Sequence, residues 1–154
     1  MPELTLHVNG GTHRVETDPD CPLLFVLTDL FGLKGPKFGC GLAQCGSCTV
    51  LIDGEPVRSC ALPAAAAKGR IVTHEGLGTM ENPHPVQRAF IAEQALQCGF
   101  CISGPVLEGM AYVDKHPNAT GAEIEKALSG VLCRCYAQPR MVKALLRYAR
   151  EKRA

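Results

Sequence analysis

Nine cysteines in 154 residues, at positions 21, 40, 45, 48, 60, 98, 101, 133 and 135, constrain this chain more than any other feature. Such a density calls for disulfides, metal or redox chemistry. A disulfide framework suits small exported chains with an even count. Here the count is odd, and Met1-Pro2-Glu3-Leu4-Thr5 has neither the basic segment nor the apolar stretch of an export signal. Structural zinc is the stronger rival, because Cys-x-x-Cys occurs twice, at Cys45/Cys48 and Cys98/Cys101. A zinc ribbon, however, pairs two such knuckles in one site. The first knuckle here has Cys40 upstream and a lone Cys60 downstream. Cys40-x4-Cys45-x2-Cys48 with a distant fourth cysteine is the spacing of a plant-type [2Fe–2S] site.

A two-iron cluster takes two thiolates on each iron, so one loop has to wrap most of it and a distant strand has to close it. The wrapping loop reads Gly39-Cys40-Gly41-Leu42-Ala43-Gln44-Cys45-Gly46-Ser47-Cys48. Its glycines permit positive φ and close approach of backbone N–H groups to a net-negative cluster. A Rieske site would need two histidine ligands, and no Cys-x-His pair occurs. The histidines at 7, 13, 74, 84 and 116 are scattered and read as ordinary surface or hydrogen-bonded residues.

The flanking pattern suits a small sheet with one helix. Leu4–Val8 alternates like a strand, Asn9-Gly10-Gly11 is a turn, and Thr12–Glu16 returns. Pro22–Leu30 reads as a helix capped from Asp20, with Leu23, Val26, Leu27 and Leu30 on one face. Thr49–Ile52 and Pro56–Arg58 flank Asp53-Gly54, a hairpin that returns Cys60 to the cysteine loop, and Arg70–Thr73 is a last strand. The Gly/Pro-rich stretch His74–Pro85 is the linker. Helices follow at roughly 84–95, 104–116, 120–130 and 138–152. Pro105 and Pro139 sit in first turns, Thr120/Glu123 form a capping box, and the last helix ends basic. Cys98 and Cys101 lie between the first two helices, and Cys133 and Cys135 between the last two. If the helices form two antiparallel pairs, both loops emerge at one end of the bundle and four thiols converge, as a second two-iron cluster requires, although Cys-x-Cys is rare as a zinc knuckle and not diagnostic. Cys21 is left over and reads as a small buried apolar residue.

The motifs Gly35-Pro36-Lys37-Phe38-Gly39-Cys40-Gly41, Gln44-Cys45-Gly46-Ser47-Cys48-Thr49-Val50, Ser59-Cys60, Gln97-Cys98-Gly99-Phe100-Cys101 and Cys133-Arg134-Cys135 fall in order along the chain. From about residue 3 to 150, the chain resembles the small iron–sulfur subunit of the molybdenum hydroxylases, the xanthine oxidase family. The resemblance implies an α+β protein: an N-terminal β-grasp, plant-type ferredoxin-like domain (1–76), then a C-terminal four-helix-bundle [2Fe–2S] domain (77–154). It implies that Cys40, Cys45, Cys48 and Cys60 hold an exposed cluster, and that Cys98, Cys101, Cys133 and Cys135 hold one buried beside a pterin. It also implies that Gln97 hydrogen-bonds that pterin and that Cys135 is the electron exit from molybdenum. The implied partners are a large catalytic subunit carrying molybdopterin, in its cytosine dinucleotide form, and an FAD-binding subunit or cytochrome c as acceptor. The segment Gly41–Cys45 is similar to relatives that use cytochrome c, such as isoquinoline, nicotinate and some aldehyde dehydrogenases. Many relatives follow the second Cys-x-x-Cys with Thr-Pro-Gly, where this chain has Ile102-Ser103-Gly104-Pro105.

The reaction so implied is hydroxylation of an aldehyde or N-heteroaromatic carbon with oxygen from water, this chain conducting the electrons and holding no catalytic residue. A free-standing ferredoxin-type carrier is the alternative, disfavoured because such a carrier needs no second cluster domain. Net charge is +1, without a basic or acidic block, so nothing points to nucleic acid or an anionic membrane. The longest weakly polar runs are too short for direct membrane insertion. The expected compartment is cytoplasmic, or periplasmic only by export with a partner subunit.

Overall fold

The computed structural model describes residues 1–154. Two hairpins supply four strands of a five-stranded sheet. β1 (Glu3–Val8) and β2 (Gly11–Glu16) turn at Asn9-Gly10, and β3 (Thr49–Ile52) and β4 (Glu55–Arg58) turn at Asp53-Gly54. Both residues of each turn have positive φ, the conformation that matches the twist of paired strands. β5 (Arg70–Val72) runs parallel to β1 and antiparallel to β3, giving the order β2-β1-β5-β3-β4. Helix α1 (Leu23–Phe25) continues as a π-turn over Val26–Leu30 and lies on this sheet, burying Leu23, Val26 and Leu27 against Leu6, Val50 and Ile71. This is a β-grasp.

The π-turn corrects the expected helix face. Phe31 N–H donates to Val26 C=O across five residues, 3.1 Å. The wide turn rotates Leu30 into solvent, 54% exposed, whereas Leu24 is fully buried. The expected Asp20 cap is also absent: Pro22 is the cap position, without a side-chain bond, and Asp20 N–H instead donates to Asp18 Oδ1 in a local turn.

The second half is helical. α2 (Pro85–Ala92), a π-turn Gly104–Glu108 leading into α3 (Gly109–Lys115), α4 (Gly121–Ala127) and α5 (Gln138–Arg153) surround a core of Phe90, Val106, Leu107, Ile124, Met141 and Leu145. The capping box forms at α4, where Thr120 N–H donates to Glu123 Oε2 at 2.7 Å. A second box, with no conventional capping residue to announce it, starts α2. There His84 Nδ1 accepts from Val86 N–H at 3.2 Å, and Gln87 Oε1 accepts from His84 N–H at 2.8 Å.

The two halves are fastened beside the cysteines. Arg58, at the end of β4, donates from Nη1 to Thr49 Oγ1 (2.5 Å) and from Nη2 to Gly130 C=O (3.3 Å). Its Nη1 also lies 2.8 Å from Glu108 Oε2, but no N–H points at that oxygen. Both side chains are four-fifths buried, where such a contact is less screened than at a surface.

Candidate iron–sulfur centres

Between α1 and β3 the chain wraps around Cys40. Its Sγ accepts from the N–H groups of Leu42, Gln44 and Cys45 at 3.3, 3.3 and 3.4 Å. Gly41 at φ +68° and Ala43 at φ +58° alternate with ordinary residues, which turns successive amides inward. These donors pull the Cys40 thiol down to about 6. Gly39 serves by its lack of a side chain, since a Cβ there would lie 2.8 Å from Cys45 Sγ.

The hairpin delivers the fourth thiol. Ser59 Oγ donates to Cys48 C=O at 2.6 Å, and Leu24 N–H donates to Ser59 C=O at 3.1 Å, so α1 and β4 meet over Cys48 and Cys60. Leu24 packs on these two buried cysteines as a separate apolar cluster. Burial pushes the Cys48 thiol up to about 11, with Cys60 and Cys45 as its neighbours.

The helical half repeats the arrangement with other scaffolding. Cys98 follows α2, and Phe100 N–H donates to its Sγ at 3.5 Å, which lowers the Cys98 thiol. Cys133 and Cys135 precede α5, where Gln138 Nε2 donates to Cys133 C=O at 3.2 Å. Cys98 faces Cys135, and Cys101 faces Cys133. Burial, with the Cys133 thiol beside it, pushes Cys101 up to about 12.

No three Cys, His, Asp or Glu side chains converge on a point that would hold a single ion. The thiols meet in twos instead, Cys40 with Cys45, Cys48 with Cys60, Cys98 with Cys135 and Cys101 with Cys133. Two thiol pairs within each quartet are the donor set that two irons, each taking two thiolates, would need. N–H groups aimed at sulfur are what an anionic cluster requires. The residues present therefore fit [2Fe–2S] groups.

The quartets are adjacent. Gly39, Cys40, Cys45, Cys98, Cys101 and Cys133 line one cavity of about 460 Å³. Each quartet has a buried pair and a more open one. Cys48, Cys60, Cys101 and Cys133 are buried, Cys40, Cys45 and Cys135 are half-buried, and Cys98 is exposed. The helical-half quartet, which the resemblance places in a buried centre, is open at Cys98 in this chain. Gln97 beside it is exposed too. Cys21 packs against the sheet core, its thiol donating to Pro22 C=O at 3.7 Å. Leu24, Ser59 and Arg58 also shape the site, and their only signal in the sequence is proximity to cysteines.

Fold and thiol arrangement define an iron–sulfur protein with two cluster-binding domains. A 2Fe-2S iron-sulfur cluster binding domain matches residues 6–73, and a [2Fe-2S] binding domain matches residues 73–146. The chain is 47% identical to one of the subunits of nicotinate dehydrogenase from Pseudomonas putida, covering 97% of this chain and 96% of that one. It is 45% identical to the alpha subunit of isoquinoline 1-oxidoreductase from Brevundimonas diminuta, over 94% and 95% of the two chains. The structure matches quinoline 2-oxidoreductase of Pseudomonas putida with TM-score 0.92 at 35% identity, over 99% of this chain and 96% of that one. It also matches the aldehyde oxidoreductase of Desulfovibrio desulfuricans with TM-score 0.93 at 33% identity, although it spans only 17% of that chain. The chain belongs to the family of small iron–sulfur subunits of the molybdenum hydroxylases. It is an electron-transfer subunit of a hydroxylase complex, not a free ferredoxin. No helix is long and apolar enough to cross a membrane.

Proposed function

We propose that this chain carries electrons from a molybdopterin-bearing catalytic subunit through two [2Fe–2S] clusters to a separate acceptor, during hydroxylation of an N-heteroaromatic ring carbon. The reaction converts R–H and water to R–OH, with two protons and two electrons to remove. Each cluster, when bound, accepts and releases one electron at a time. Cys40, Cys45, Cys48 and Cys60 are the proposed ligands of one cluster, and Cys98, Cys101, Cys133 and Cys135 those of the other. The observation that carries this reading is the meeting of eight thiols in four pairs around adjacent quartets.

The entry side is the open face at Cys98. Leu96, Phe100, Leu132 and Tyr136 stand 42–76% exposed around it, an apolar rim suited to burial under a large subunit. Gln97 lies inside that rim with two donors and an acceptor for the polar edge of a pterin. Cys135 is the proposed first sulfur to receive the electron, and the cytosine dinucleotide form is the proposed pterin. The exit side is the face of Cys40, where Phe25, Phe38 and Leu42 are 38%, 55% and 69% exposed and no charged residue occurs from Phe38 to Ile52. An acceptor held permanently in the complex, a flavin subunit or a cytochrome c, fits such a neutral face better than a charge-steered carrier does.

The heteroaromatic substrate class rests on the relatives at 47% and 45% identity, named for nicotinate and isoquinoline. An aldehyde is the second reading, favoured by the 38% identical aldehyde oxidoreductase subunit of Escherichia coli. Assembly in the cytoplasm is part of the proposal, since eight thiols meant for iron need a compartment that keeps them reduced. The test is purification of the assembled complex with iron, zinc and molybdenum analysis, followed by incubation with nicotinate and with benzaldehyde in water of heavy oxygen. Two distinct [2Fe–2S] signals and a heavy hydroxyl on the ring are expected. A colourless zinc protein would end the proposal, and label from the aldehyde alone would replace its substrate.

A further inference from the structure

We propose that Glu75 is the positioning residue of the β-grasp cluster loop, fixing the turn at Lys34 and Gly35 from which the loop departs and registering it to the helical half. The proposal rests on the electron-transfer reading above and concerns how its first domain is held in working geometry.

Glu75 lies in a single 3-10 turn, His74–Gly76, at the start of the linker. A glutamate in a Gly/Pro-rich linker reads as solvated, but this one is not. Its Oε1 accepts from the N–H groups of Lys34 at 2.6 Å and Gly35 at 2.5 Å. Its Oε2 accepts from the Thr73 hydroxyl at 2.8 Å. Thr73 is itself fixed to the first hairpin, donating from N–H to Asn9 Oδ1 and accepting on Oγ1 from Asn9 Nδ2, both at 2.9 Å. Two adjacent amides on one carboxylate oxygen are charge-assisted bonds, stronger than neutral ones. Burial pushes the Glu75 carboxyl up, yet its own amide, Thr73, Gly35 and Lys34 carry it below the ordinary range. A Cβ on Gly35 would collide with this carboxylate and crowd His74 Cβ at 3.0 Å, so the turn is shaped to the segment that carries the glutamate.

The turn leads straight into the cysteine loop. Lys37 Nζ donates back to Lys34 C=O (2.8 Å) and Gly35 C=O (3.3 Å), while Lys37 N–H donates to Ser47 C=O at 2.9 Å. Two residues later, Gly39 passes so close to Cys45 Sγ that no side chain fits. A loop packed against its own sulfur in this way cannot absorb a displaced origin. On the other side, His74 C=O accepts from Gln87 Nε2 of α2 at 3.2 Å. Direct bonds thus run from α2 through the linker to the cluster loop, and Glu75 is the member that grips the loop. It touches no cysteine.

The test compares Glu75→Ala, Glu75→Gln, Gly35→Ala and the Ala/Ala double variant in the assembled complex, with potentials and electron paramagnetic resonance of both centres. Glu75→Ala is expected to shift the g-values and potential of the β-grasp centre and leave those of the helical centre. Transfer between the centres is expected to slow. Glu75→Gln, keeping an acceptor oxygen, should recover part of the loss. Gly35→Ala should reproduce it by collision, and the double variant, in which only the His74 Cβ contact remains, should be less than additive. Equal changes at both centres, no change at either, or additive effects in the double variant would overturn the proposal. Amide hydrogen exchange at Lys34 and Gly35 is a readout independent of any cluster, expected to quicken in Glu75→Ala, and unaltered exchange would also overturn it. Absence of two [2Fe–2S] signals in the unmodified complex would count against the functional reading, while the exchange measurement would still decide Glu75. If Glu75→Ala fails to fold, Gly35→Ala and Glu75→Gln carry the same comparison.

Discussion

Leu132 N–H donates to the carbonyl of Cys45 at 2.9 Å. Leu132 adjoins Cys133 in the helical half, and Cys45 belongs to the β-grasp loop, so one backbone hydrogen bond joins the two quartets. Apart from that bond, the path from Cys133 Sγ to Cys45 Sγ is entirely covalent.

Leu132→Pro deletes this donor. Val131 already has extended backbone, φ −110° and ψ 114°, which a following proline favours. Both clusters should assemble, and electron transfer between them should slow. Loss of one backbone hydrogen bond should also cost about 0.5–1.5 kcal/mol of stability. Freeze-quenched paramagnetic resonance of substrate-reduced complex reads the transfer, and an unchanged rate would remove this bond from the route.

The proposed ligand sets should fail separately. Cys60→Ser should abolish one [2Fe–2S] signal and spare the other, and Cys133→Ser should do the converse. The two thiols sit on different scaffolds, a hairpin strand end and the approach to α5. Cys21→Ser should leave both signals, since its thiol meets only the Pro22 carbonyl. Loss of a cluster in Cys21→Ser would refute the assignment.

Both hairpins were legible because Asn9-Gly10 and Asp53-Gly54 are local signals whose chemistry admits few alternatives. The loop Cys40-x4-Cys45-x2-Cys48 is a local signal, whereas the approach of Cys98 and Cys101 to Cys135 and Cys133 follows from helix pairing and not from spacing. The π-turn at Val26–Leu30 was not, since one extra residue in a turn shifts a helical face without altering composition. It exchanged Leu30 for Leu24, the residue that packs on Cys48 and Cys60. Glu75 and Arg58 were invisible for another reason. Their partners Gly35 and Gly130 are 40 and 72 residues away, and no local pattern encodes such a meeting.

His84 makes the start of α2 sensitive to acid. It caps α2 through unprotonated Nδ1, and burial lowers its pKa, opposed by Asp114 and assisted by Arg88 and Lys152. The sign follows from linkage: the unfolded chain takes up this proton first, at about pH 6.5, so stability falls as pH drops below that value. The loss levels off below the folded pKa. His84→Asn keeps a capping side chain and should flatten the slope, whereas His84→Ala should lose about 1 kcal/mol where His84 is neutral and less at the acid end. Urea unfolding between pH 5 and 8 measures it, and a slope unchanged in His84→Asn would assign the effect elsewhere.

Gln97 tests the entry of electrons. It is exposed in this chain, directly before the exposed Cys98 and within the apolar rim of Leu96, Phe100, Leu132 and Tyr136. An exposed amide beside the docking face becomes desolvated when the partner covers it, and it then has to find hydrogen bonds or destabilise the complex. A pterin edge offers both donors and acceptors to an amide. Removing such a contact should cost about 1–3 kcal/mol, enough to alter cofactor retention or position without dissolving the fold. Gln97→Ala should therefore keep both iron–sulfur signals while lowering molybdenum content or slowing cluster reduction by substrate. Gln97→Glu retains an acceptor, loses the donors and adds a negative charge, so behaviour close to that of the unmodified complex would mean that the acceptor alone suffices. Rapid-mixing absorbance of cluster reduction, with molybdenum measured on the same samples, decides the matter. Unaltered rate and molybdenum in Gln97→Ala would make this side chain an ordinary loop residue, and entry would then rest on Cys135 alone.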